Sequence, residues 1–185
     1  MLIDDLYIVN YCHRSCAPLK NIMRLPKERA FTLAHEMAQQ NKETTAFYRF
    51  ADFENYYPRR LKTDELLYSQ FVGIGGRPTE RHPLSFVLQG SEYLDDWFDK
   101  GIVTRIPLNS IPDDIISFTY GDSMAVLERQ GGLTILTKDM LIKAITGYNG
   151  SVDEYIRFIT DAYGYIEVQL WGDISCIDKA TETLK

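Results

Sequence analysis

Cysteine is scarce, with only Cys12, Cys16 and Cys176 in a chain of 185 residues. Three scattered cysteines cannot build a paired disulfide framework, and a chain of this length buries enough apolar surface to fold without one, so reduced thiols are expected. Histidine is equally sparse, leaving His13, His35 and His82 as the imidazoles able to act as a base near neutral pH. Positive charge falls short of negative, 20 Lys and Arg against 26 Asp and Glu, for a formal net charge of −6. Phosphate binding draws on Lys and Arg, so this deficit argues against a nucleic-acid partner and against anionic membranes. No apolar run approaches the roughly 18 residues of a membrane span. The opening MLIDDLYIVNY has acids where a secretion signal has basic residues. A cytoplasmic location without a membrane partner is therefore expected.

Several familiar signatures are also missing. Gly73-Ile74-Gly75-Gly76-Arg77 has the glycines of a phosphate loop but lacks the lysine and hydroxyl of the Walker pattern, and its glycines end a helix instead of opening one. Gly90-Ser91-Glu92 and Gly121-Asp122-Ser123 lack the flanking glycines of a nucleophile elbow, and Ser91 reads as a helix N-cap. Cys12-His13-Arg14-Ser15-Cys16 places two thiols around an imidazole, with Cys176 as a further donor, yet the second close pair of a structural zinc site is absent. No metal site is assigned.

Helical spacing is clear over residues 25–41, where Pro26 suits a first helical position and Ala30, Ala34, Met37 and Ala38 share a face. A second helix is expected from an N-cap at Thr63, with Asp64 and Glu65 in its first turn, to the glycines at 73–76. Between them, residues 47–53 (FYRFADF) alternate as a strand and residues 55–60 (NYYPRR) form a turn. That turn, with Lys62, Arg77 and Arg81, is the main basic concentration; beside Tyr56 and Tyr57 it would suit an anionic nucleotide, although a solvated surface explains it more simply. Strands are expected at 84–89, 102–108 and 115–120, a short helix from Ser91 to Gly101, and a hairpin with arms 124–128 and 133–137 around Gly131-Gly132. On the short helix Glu92, Asp95, Asp96 and Asp99 form a solvated acidic face; a cation-dependent hydrolase would require them to converge. Two helices follow, the second opened by a Ser151–Glu154 capping box.

Helices thus gather at the front and again before the last strand, without βαβ alternation, and no linker divides the chain. The expected fold is α+β, a single domain over residues 1–185. Its central sheet is mixed or mainly antiparallel, with N-terminal helices and two helices before the last strand.

That last strand, residues 165–171 (YIEVQLW), carries the densest chemistry. Alternation puts Tyr165, Glu167, Gln169 and Trp171 on one face and Ile166, Val168 and Leu170 on the other. A carboxylate and a carboxamide between two aromatics can bind a sugar hydroxyl, orient an amide or stack a flat ring. The longer run YIEVQLWGDIS resembles the closing segment of ADP-ribosyltransferase-like proteins, in which a Glu on a late strand faces the NAD ribose. The resemblance implies NAD as substrate, a protein as acceptor, and Glu167 as the catalytic residue that stabilises an oxocarbenium-like carbon. It further implies a cofactor-binding set of Arg49 in FYRF, Ser117 and Thr119 in ISFTYGD, and Tyr165. Two positions depart from the family pattern. Tyr165 stands where arginine-modifying members carry Glu or Gln, and Tyr120 replaces the third member of the usual Ser-Thr-Ser strand. The alternative is a non-enzymatic interaction or accessory domain whose tyrosine-rich faces bind a protein.

Overall fold

Segments rich in β-branched and aromatic residues become the strands β1 (Tyr7–Cys12), β2 (Leu84–Leu88), β3 (Ile102–Pro107), β4 (Ile116–Tyr120), β5 (Leu136–Thr137), β6 (Ile166–Leu170) and β7 (Glu182–Leu184). The computed structural model describes residues 1–174 and the backbone of 182–184. The strands form one antiparallel sheet of order β5-β4-β6-β2-β1-β3-β7. Seven helices complete the α+β fold of the described residues: α1 (Lys27–Gln40), α2 (Tyr48–Ala51), α3 (Phe53–Gly73), α4 (Glu92–Trp97), α5 (Ser123–Gln130), α6 (Lys138–Gly147) and α7 (Val152–Tyr163). None of them is long and apolar enough to cross a membrane.

Strand periodicity sorts the sheet into two different faces. Ile8, Phe86, Leu88, Ile106, Phe118 and Val168 lie on one, packed with Leu141 and Ile145 of α6 and with Tyr155 and Ile159 of α7 as the main core. The other face holds Val9, Val87, Glu167, Gln169, Ser117 and Thr119, opposed in register across neighbouring strands. Over it lies α3, whose Leu67 and Phe71 join Trp171 in a second apolar cluster. Trp171 is fully buried, stacked on Phe71 at 5.8 Å and 18°. A third cluster, around Ala30, Ala34 and Phe53, ties α1 to the start of α3.

The expected α+β class and the helix after Pro26 agree with the fold, as do the Ser91 N-cap and the Ser151–Glu154 capping box. Several elements differ. Residues 47–53 are helical because Thr44 accepts from the Ala46 N–H, and Phe47, Phe50 and Phe53 recur every third residue and pack inward together. Residues 55–60 continue into α3, which holds Pro58 in its second turn. Thr63 is consequently inside that helix, its hydroxyl donating back to the Arg59 carbonyl at 3.0 Å. Instead of a hairpin, residues 123–130 form α5: Asp122 caps its first turn by accepting from Ala125 N at 2.9 Å, and Gly131 ends it in the left-handed region at φ 71°. The first 24 residues contribute β1, a strand near the middle of the sheet. The strand carrying Glu167 is likewise interior, β6, and β7 follows it on the far edge.

Candidate functional site

Because β6 lies between β4 and β2, Glu167 is paired in register with Thr119 on one side and Val87 on the other, while Gln169 sits between Ser117 and Ser85. Four side chains on this face form a directed relay. Trp171 Nε1 donates to Ser117 Oγ at 2.8 Å, Ser117 Oγ to Gln169 Oε1 at 2.9 Å, and Gln169 Nε2 to Thr119 Oγ1 at 3.0 Å. The single Thr119 hydroxyl proton faces two acceptors, the Gly121 carbonyl at 3.4 Å and Glu167 Oε2 at 3.5 Å. The Ser123 N–H, at the first position of α5, donates to the same oxygen at 2.6 Å. Successive donors pointing one way polarise one another, and the row ends at the Thr119 hydroxyl beside Glu167, whose charge is favoured chiefly by Arg60 and the Ser123 N–H. A helix N-terminus adds to that field.

Helix α3 brings cations and anions to the other side of the carboxylate. Arg60 Nη1 is 3.9 Å from Glu167 Oε1, and Arg60 Nη2 is 2.6 Å from Asp64 Oδ1 in a close ionic contact whose angle is off-line for a hydrogen bond. Asp64 Oδ2 meets His82 Nδ1 at 2.7 Å. Burial raises the Glu167 pKa above the ordinary value, against the pull of Arg60 and the Ser123 N–H; Glu167 is only 6% exposed. Burial also works against the Arg60 charge, but Asp64, Tyr56 and Glu167 outweigh it and hold the guanidinium protonated.

The cluster approaches solvent through Asp122, which accepts from Tyr165 Oη at 3.2 Å and from Arg49 Nη2 at 3.4 Å. Burial opposes the Asp122 charge, yet the Ala125 N–H, Arg49 and Arg60 prevail and its pKa is lowered. Tyr165 is raised, first by burial and then by the charges of Asp122 and Glu167. Gly121 makes the bend from β4 into α5 at φ 83°, where a Cβ would stand 3.2 Å from the Tyr163 carbonyl.

The structure thus brings Glu167, Ser117, Thr119, Tyr165 and Arg49 into one connected cluster, with Ser117 and Thr119 buried and Arg49 at its exposed rim. Arg49 reaches the cluster from a short helix, α2. Four participants were not assigned from sequence: Arg60, Asp64, Asp122 and Ser123. Arg60 and Asp64 are spaced i,i+4, a signal visible once the helix is extended back to Phe53; Asp122-Ser123 is an N-cap followed by a first helical residue. Of the other basic residues, Arg59 is bound to Glu128 and Arg81 lies over the Tyr68 ring at 4.6 Å.

Two shallow concavities lie elsewhere. One, of about 340 Å³, is lined by Val9, Tyr11, Glu92, Asp95 and Arg105 among others; the second, of about 190 Å³, lies between the end of α3 and Asp113, Asp114 and Asp139. The acids expected on the short helix are divided, since Asp96 in α4 pairs with Lys100 at 3.4 Å and Asp99, beyond its end, faces His13 at 3.4 Å. Among the described residues no group of three or more His, Cys, Asp or Glu side chains could hold a metal. Cys176 lies outside the described residues. No protein-family model, curated protein or solved structure matches the chain.

Proposed function

We propose that this chain is an ADP-ribosyltransferase-like domain that cleaves NAD or transfers from it, with the Glu167 carboxylate as its charge-stabilising group. The observation that carries the reading is the convergence of Arg60 and of the Ser123 N–H at the start of α5 on the buried Glu167 carboxylate, beside the polar row of Trp171, Ser117, Gln169 and Thr119. Departure of nicotinamide leaves positive charge on the ribose carbon, and a fixed carboxylate in a water-poor setting stabilises that charge more strongly than one in bulk solvent. In this reading substrate enters past the Arg49–Asp122 pair, where Arg49 is free to exchange its carboxylate for the pyrophosphate. A protein acceptor would meet the neighbouring surface: Tyr48, next to Arg49 on α2, is 71% exposed and packs edge-on to Trp97, against which the exposed Tyr93 also lies.

The test is NAD binding and nicotinamide release by the native protein and by Glu167→Ala. The expected result is binding by both, with release reduced about 10²–10³-fold in the variant. If the native protein fails to bind NAD at millimolar levels, the enzymatic reading falls. The exposed Tyr48 and Tyr93 rings, packed against the half-buried Trp97, favour a second reading, a non-enzymatic protein-binding domain, because aromatic anchors dominate interface energetics. Its mark is partner capture that survives Glu167→Ala and is lost in Trp97→Ala.

A further inference from the structure

The turn that follows β1 holds two thiols that the NAD chemistry does not use. Cys12 is the last residue of the strand and is buried, while Cys16, four residues on, is half-buried. A tight turn closes the interval, with Cys16 N donating to the His13 carbonyl at 2.8 Å. Within it Cys12 Sγ lies 3.3 Å from the His13 carbonyl and 3.5 Å from the Cys16 carbonyl, so its side chain is aimed along the turn toward the second cysteine.

We propose that Cys12 and Cys16 are a peroxide-reactive dithiol, Cys16 being the attacking thiol and Cys12 the resolving one. The Cys16 thiolate attacks one oxygen of the peroxide, its sulfur is oxidised to the sulfenic acid and the other oxygen leaves as hydroxide, which takes up a proton as water. Cys12 then attacks the sulfenic sulfur; its thiol proton and the sulfenic hydroxyl depart as a second water, leaving the Cys12–Cys16 disulfide. The two roles differ because the environments differ. Cys16 is half-buried and open to a small oxidant, whereas Cys12 is buried at the end of β1 with its Sγ turned to the backbone carbonyls of the turn.

The turn is wired to the helices that carry the site's rim. His13 packs edge-on to Phe47 at 5.0 Å, immediately before α2, and Ser15 Oγ donates to Asn41 at the end of α1 at 3.1 Å. A disulfide that redraws this turn therefore acts on the segment that positions Arg49.

The native protein is treated with stoichiometric hydrogen peroxide, free thiols are alkylated, and the product is digested with trypsin. Arg14 lies between the two cysteines, so a Cys12–Cys16 bond joins the peptide of residues 1–14 to that of residues 15–20. The expected result is that linked pair, together with alkylation of reduced Cys16 at least about tenfold faster than of Cys12 at neutral pH. Cys12→Ser is expected to stop at a sulfenic acid on Cys16 that a dione reagent traps, and Cys16→Ser to give no such adduct. Linkage of either cysteine to Cys176 in place of the 12–16 pair overturns the proposal, as does a sulfinic acid on Cys16 without any crosslink. Equal alkylation rates for the two thiols overturn the assignment of roles.

Discussion

At Glu167 burial opposes the charge while Arg60 and the Ser123 N–H favour it, and its titration should record the balance. Its pKa lies above the ordinary 4.5. Between 4.5 and that raised value the folded chain keeps a proton that the unfolded chain releases. Proton binding therefore favours the fold, and this residue's contribution declines as pH rises through the window. Glu167→Gln cannot ionise and retains an acceptor for the Ser123 N–H. Relative to the native protein, its urea midpoint is expected to rise progressively with pH over that interval; a constant difference would show that Glu167 does not titrate there. Asp122 behaves oppositely. Its lowered pKa gives stability that is present above the ordinary carboxylate range and is lost on acidification. These directions were not readable from YIEVQLW alone. Alternation shows which residues share a face with Glu167, but the depth of burial comes from α3, about a hundred residues earlier in the chain.

At the scale of the element, caps separate the segments that sequence reading resolved from those it did not. The start of α7 was visible because Ser151 and Glu154 satisfy each other's amides within four residues, a local arrangement needing no tertiary context. The start of α5 was missed because Gly121-Asp122-Ser123 reads equally well as a turn, and Gly131-Gly132 as a hairpin tip; the burial of Ser123, Met124 and Val126 decides for the helix. Likewise, Phe47, Phe50 and Phe53 fit a strand when counted with their neighbours and a helical succession when counted by threes. Asp122→Ala should cost about 1–2 kcal/mol, since it removes the cap and the contacts to Arg49 and Tyr165 together, and should also weaken NAD binding. Ser151→Ala should cost about 1 kcal/mol in the same urea titration and leave NAD binding unchanged, which separates loss of a cap from loss of the site.

For the molecule as a whole, Trp171 links the two kinds of interaction on the polar face of the sheet. Its ring packs against Phe71 and Tyr68 of α3, and its N–H begins the donor row. Trp171→Ala should destabilise the fold by about 3–5 kcal/mol, measured by urea unfolding, because the cavity is enclosed and Ser117 loses its donor. Trp171→Phe should restore most of the packing without the donor, so the remaining deficit reports the hydrogen bond. The α+β class was legible because it depends on the succession of elements; strand order was not, since no local pattern in β1 or β6 states which strand each will pair with.

That strand order has a consequence for synthesis. β6 joins β4 to β2, and it is made after both. A nascent chain ending before Ile166 has a β2–β1–β3 sheet with β2 unpaired on one side, and a separate β4 strand with no partner on the side that β6 will occupy. Until β6 is made, the edges of β2 and β4 that it will join stay open, and β3 still awaits β7. Chaperones that bind open strand edges should hold the nascent chain until residues 166–170 emerge and pair with β4 and β2.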